Sequence, residues 1–165
     1  IWDKYAKEQP TGTANHHYVK EDWVETALQW PGMMVSTDAL PAIDTSIPTN
    51  PNIAGTFSRL LGHYVREREV LSLSDALARS SLYRAQWMEQ ASPVFKNKGR
   101  IQRGADADLV IFDAQTIAAN AVYGDPYLKP TGMLHVLVAG ELVVQNGLPV
   151  EGPAPGQKLL GSVSQ

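Results

Sequence analysis

Apolar positions recur at helical spacing in three stretches of the chain and run together in short β-rich blocks toward its end. From Lys20 to Trp30, residues Trp23, Val24, Ala27 and Leu28 fall on one helical face. Glu21 and Asp22 occupy the first turn, where negative charge suits a helix N-terminus, and Pro31-Gly32 ends the run. Phe57, Leu60, Leu61, Tyr64 and Val65 repeat the i, i+3, i+4, i+7, i+8 pattern of a second helix. A third begins near Ser72 or Ser74. With Ser72 as its cap, Asp75 takes the third helical position, and Leu73, Ala76, Leu77 and Leu82 supply apolar surface. From Glu89 to Asn97 the helical period is lost, and Pro93 is expected to end the helix.

The remaining apolar runs predict strands. Met33-Met34-Val35 is short and continuous, as in a strand buried on both faces, and the polar cluster Ser36-Thr37-Asp38 follows it. Between Asp44 and Gly55, Pro48, Asn50, Pro51 and Asn52 crowd together and predict a loop. After about Lys98 the chain turns β-rich, at residues 109–112, 134–138 and 141–144. Ala139-Gly140 reads as a tight turn that pairs the last two runs antiparallel. The fold class is therefore α/β up to about residue 97 and strands after it.

Composition narrows the partners. A chain of 165 residues, 44% hydrophobic and 19% charged, is that of a soluble globular domain with a buried core. A net charge of -3, with no long run of like charge, offers no broad attraction to nucleic acid or anionic membranes. No apolar stretch approaches a membrane span, and the opening Ile1-Trp2-Asp3-Lys4 lacks the order of a signal peptide. With no cysteine, disulfides and thiolate ligands are excluded within these residues, so a metal would need His or carboxylate. The compartment stays open, with a soluble, cytoplasmic setting favoured.

One long segment carries a specific likeness. Lys98-Gly99-Arg100-Ile101-Gln102-Arg103-Gly104-Ala105-Asp106-Ala107-Asp108-Leu109-Val110-Ile111-Phe112-Asp113 resembles the passage by which amidohydrolases leave their catalytic barrel for a small β-domain. Gly99 and Gly104 permit tight turns there, and residues 109–112 supply a buried strand. Gly55-Thr56-Phe57-Ser58-Arg59-Leu60-Leu61-Gly62-His63-Tyr64-Val65-Arg66-Glu67 is similar to the helix after the last barrel strand in D-aminoacylases. Asp125-Pro126 and Pro130-Thr131-Gly132-Met133-Leu134-His135-Val136-Leu137-Val138-Ala139-Gly140 are similar to that family's closing strands. The resemblance is therefore to amidohydrolases of the N-acyl-D-amino-acid deacylase type.

It implies that residues 1–97 are the C-terminal portion of a (β/α)8 metal-dependent hydrolase barrel, and 98–165 part of a small β-sandwich domain. A whole barrel takes roughly 250 residues, so the expectation is a C-terminal fragment, inactive alone. Zinc is the implied cofactor, bound mainly by residues outside this chain. The implied partners are an N-acyl amino acid or related amide and the missing N-terminal part of the same enzyme.

Met34-Val35-Ser36-Thr37-Asp38-Ala39-Leu40-Pro41 resembles the family's final barrel-strand motif, whose Asp is the general base. Asp38 is thereby the implied catalytic residue and a metal-site carboxylate. It would take a proton from a zinc-bound water and deliver it to the leaving nitrogen. An Asp in this place is also a common turn cap. The pattern departs from the family's in two ways. Ser36-Thr37-Asp38-Ala39 replaces a frame of small residues, and Asn50-Pro51-Asn52 stands where the family reads His-Pro-Arg. Loss of that Arg removes a bidentate partner for a substrate carboxylate and puts a free N-acyl amino acid in doubt.

The other chemistry-bearing residues have simpler readings. His16 and His17, adjacent on a strand, would point to opposite faces and could not grip one ion together. His63 and His135 read as structural, and Met33, Met34 and the tryptophans at 2, 23, 30 and 87 as core. Two alternatives stay open: a cyclic-amide hydrolase of the dihydroorotase or hydantoinase type, against which the Gly55 to Glu67 block argues, and a non-catalytic relative that acts as a binding module.

Overall fold

The periodic segments fold as helices, and the computed structural model, which describes residues 17–39, 49–159 and Lys7, places them ahead of an antiparallel sheet. Helix α1 is Glu21–Gln29, α2 is Asn52–Arg59, α3 is Leu73–Ser80 and α4 is Leu82–Met88. A π-helical stretch, Leu60–Glu67, continues α2, and a 3-10 turn, Pro93–Asn97, follows α4. Strands β1 (Leu109–Phe112), β2 (Met133–Val138), β3 (Glu141–Gln145) and β4 (Leu148–Pro149) pair antiparallel in the order β1-β2-β3-β4.

Local chemistry sets the boundaries. Ser72 caps α3 as expected, its Oγ accepting from the Asp75 backbone N–H at 3.1 Å. Ser81, with φ -137°, then breaks the helix that the apolar pattern carried through Leu82, and its Oγ donates back to the Leu77 carbonyl at 2.6 Å. Pro93 does not end a helix. The chain has already left α4 at Met88, and Pro93 opens the 3-10 turn, where its missing N–H costs no bond. Helix α2 begins at Asn52, inside the segment expected to be loop, because Pro51 already holds helical angles of φ -60° and ψ -16°.

Met33-Met34-Val35 forms no strand. A strand needs a hydrogen-bonding neighbour, and among the described residues none lies beside it. Instead the Val35 N–H donates to the Arg79 carbonyl at 3.3 Å, while Arg79 Nη1 donates to the carbonyls of Trp30 and Met33. The segment is thus fixed to the end of α3.

The two hairpins follow their turn residues. Ala139 and Gly140 have φ of 51° and 84°, joining β2 to β3, and Asn146 and Gly147 have φ of 51° and 75°, joining β3 to β4. Positive φ at both central positions matches the right-handed twist of paired strands. Strand β1 forms where expected but is not buried, since Val110 and Ile111 are about half exposed at the edge of the sheet.

One core serves helices and sheet. Leu28, Leu60, Leu61, Tyr64 and Ala76 pack with Ile117 from the β1–β2 connection, and Phe112 and Met133 lean on the cluster. Ile117 is 1% exposed and reaches this position because Gly62 and Gly132 leave room for its backbone. Arg66 Nη1 donates to the Ile117 carbonyl at 2.5 Å, so that oxygen is satisfied despite its burial. The tryptophans do not join this core: Trp23, Trp30 and Trp87 are 54–70% exposed, and Trp2 lies outside the described residues. They exceed what so small a core can enclose, and Trp23 and Trp30 line an apolar groove with Pro31 and Met33.

Candidate active site

The carboxylate implied as catalytic stands on the segment after Met33-Met34-Val35. Asp38 is exposed and has φ of 48°, the left-handed region that Asp tolerates better than most residues. Thr37 Oγ1 accepts from the Ala39 N–H at 3.3 Å, closing a small turn around it. From across the chain, Asn52 Nδ2 donates to the Thr37 carbonyl at 2.8 Å and to the Asp38 carbonyl at 3.3 Å. Its amide has two N–H groups, so one side chain can serve both oxygens. Asn52 is itself held as the first residue of α2, where its own carbonyl accepts from Thr56 Oγ1 at 3.0 Å.

The bend at Asp38 is therefore tied at its backbone to a helix start, while no described residue donates to its carboxylate. A carboxylate so placed can accept a proton or contribute one ligand to a metal. It does not make a metal site alone. A zinc site takes three or four donors, and among the described residues no group of three or more His, Asp or Glu side chains is arranged to hold a metal ion. The described donors therefore do not fit the ion by themselves.

The histidines of the described residues make local contacts away from Asp38. His63 lies between two carboxylates, with Nε2 3.2 Å from Glu21 and Nδ1 3.1 Å from Glu67. Arg59 joins the same Glu21 at 3.0 Å, so α1 and α2 are fastened by a surface network. His135 Nδ1 accepts from the Asn146 N–H at 3.4 Å, beside the second hairpin turn. His17 is exposed and meets Tyr123 edge to face, and His16 lies outside the described residues. At the start of the sheet, Lys98 Nζ sits 3.0 Å from Asp106 and 2.5 Å from Asp108, whose Oδ1 accepts from the Ala139 N–H at 2.8 Å. The Ala139 N–H and, after it, the Lys98 ammonium hold the Asp108 carboxyl below its ordinary range.

Asn52 is the residue whose place the sequence does not reveal. Its only signal there is the replacement of Arg in the Asn50-Pro51-Asn52 triplet, which speaks of a lost charge and not of a bond to residues 37 and 38.

Comparison with known proteins gives the chain's family. The sequence profile described as "Amidohydrolase family" matches residues 33–144, a span that includes Asp38, Asn52, strands β1 and β2 and all of β3 but its last residue. The chain belongs to that family. Within it, the chain is 35% identical to an N-acyl-D-glutamate deacylase of Alcaligenes xylosoxydans xylosoxydans, over 87% of this chain and 28% of that protein. The crystal structure of N-acyl-D-glutamate deacylase from Bordetella bronchiseptica, complexed with zinc and a phosphonate inhibitor, superimposes with a TM-score of 0.68. It is 36% identical over 79% of this chain and 27% of that one. The crystal structure of a D-aminoacylase gives a TM-score of 0.71 at 29% identity, covering 81% of this chain and 27% of that chain. The chain thus spans less than a third of the length of these relatives. Among its described residues, no helix is long and apolar enough to cross a membrane.

Proposed function

We propose that this chain is the C-terminal part of a zinc-dependent amidohydrolase that cleaves a linear amide, an N-acyl-D-amino acid, to carboxylate and amine. The observation that carries the reading is the 35% identity to an N-acyl-D-glutamate deacylase across 144 residues, a match far longer than any single motif. In this reading residues 1–97 are the end of the catalytic barrel and 98–165 part of the small β-domain. The change from helices to strands between Asn97 and Leu109 supports that division. Met33-Met34-Val35 becomes a barrel strand once neighbours from the rest of the enzyme pair with it.

Asp38 is the general base. Its carboxylate accepts a proton from the attacking water and returns it to the nitrogen as the C–N bond breaks, so that the amine leaves neutral. Active sites of such barrels lie at the C-terminal ends of the strands, which is where Asp38 stands relative to Val35. Zinc is the cofactor of this reading, held mainly by residues outside the chain, with Asp38 adding one carboxylate. The counter-charge for the substrate carboxylate must also come from elsewhere, since Asn52 carries none and its amide is already engaged.

The test is a substrate panel on the full-length enzyme: N-acetyl-D-glutamate, N-acetyl-D-aspartate and neutral N-acetyl-D-amino acids beside a hydantoin and dihydroorotate. Amine release from the linear amides supports the reading. Ring opening of the cyclic amides alone would refute it.

A further inference from the structure

We infer that Asn52 is a positioning residue for the catalytic carboxylate: it holds the Thr37-Asp38 bend against the start of α2 and does not bind substrate. The inference rests on Asp38 being the general base. Asp38 needs such a hold, because it has φ of 48° without being glycine, and that conformation persists only where its surroundings fix it. The surroundings supply two restraints. The Thr37 hydroxyl closes the turn locally, through the Ala39 N–H. Asn52 supplies the longer link, donating to the carbonyls on both sides of the Asp38 α-carbon, at 2.8 and 3.3 Å.

Those carbonyls are acceptors only, so the residue opposite must donate. An amide does this without bringing a charge next to the carboxylate, whereas Arg would add one. Asn52 can also hold the bend steadily, because as the first residue of α2 its backbone is part of a helix whose Gly55 N–H closes on Pro51 at 2.9 Å. With its N–H groups turned to residues 37 and 38, Asn52 has no donor directed at a substrate carboxylate. Position 52 thus sets where the base sits.

The experiment is a double-mutant cycle in the full-length enzyme with N-acetyl-D-glutamate, using Asp38→Asn, Asn52→Ala, Asn52→Ser and the paired changes. Rates are normalised to folded protein, measured on the same samples. Misplacing a reacting group by about 1 Å costs up to about a hundredfold, so Asn52→Ala should lower kcat by about ten- to a hundredfold with KM nearly unchanged. Asn52→Ser, too short to reach both carbonyls, should do the same if the Ala variant folds poorly. In the Asp38→Asn background neither change should lower kcat further, since the base they position is already gone. A raised KM with normal kcat would place Asn52 on the substrate and overturn the inference. A full additional loss in the Asp38→Asn background, or normal kcat in either folded Asn52 variant, would overturn it as well. Near-normal kcat for Asp38→Asn alone would instead remove the general base, and is read separately.

Discussion

Gly62 and Ile117 meet backbone to backbone: a β-carbon on Gly62 would collide with the Ile117 carbonyl oxygen. That contact seats the π-helical stretch on the β1–β2 connection and lets Arg66 reach the same oxygen. A glycine inside a helix normally costs up to about 1 kcal/mol relative to alanine, so Gly62 stands against local preference. Its retention follows from the close approach. Gly62→Ala should therefore destabilise the chain by about 1–3 kcal/mol, the usual cost of overpacking. A lowered urea midpoint with an unchanged slope is the expected result. A raised midpoint would mean that helix preference wins and that the contact can relax.

Asp108 should give the chain an acid-sensitive component of stability. Its folded pKa lies below the ordinary 3.8, so its contribution is fully present above about pH 4 and fades as pH falls through the folded value. Asp108→Asn can keep the bond from the Ala139 N–H but loses the charge facing Lys98. The side chain is 38% exposed, so solvent screening holds the loss at neutral pH to about 1 kcal/mol or less. Denaturation midpoints between pH 2 and pH 7 should show a wild-type advantage that shrinks toward the acid end. An advantage that grew in acid would reverse the assigned direction.

The chain on its own should hydrolyse no N-acyl-D-amino acid, because its described residues do not assemble a metal site. Incubation of the purified chain with zinc and N-acetyl-D-glutamate should release no amine above background. Turnover would show that the chain carries a complete site of its own.

The legible parts of the fold were those fixed by local pattern. The Ser72 cap, the helix over Glu21–Gln29, strand β1 and the Ala139-Gly140 hairpin each depend on residues close together in sequence. What depends on distant neighbours was not legible. Met33-Met34-Val35 has a strand's composition but no ladder to join among the described residues, and Trp23, Trp30 and Trp87 have core composition but too little core to cover them. Ile117, the least exposed large side chain among the described residues, comes from a connection with no periodicity to mark it. The Asn146-Gly147 turn carried a strong hairpin signal, but β4 after it is only Leu148–Pro149, too short to show a strand pattern. At the candidate site, the sequence pointed to Asp38 by likeness of motif. The bonds from Asn52 join residues separated by fourteen and fifteen positions, which no local rule foresees.

Replacing Asp38 with Asn in the full-length enzyme keeps the side chain's size and removes its ability to accept a proton at neutral pH. The measurement is kcat and the denaturation midpoint on one Asp38→Asn sample, with N-acetyl-D-glutamate as substrate. A general base at this position predicts a fall in kcat of at least about a hundredfold with the midpoint nearly unmoved. A near-normal kcat per folded molecule would contradict it and leave Asp38 as a turn residue.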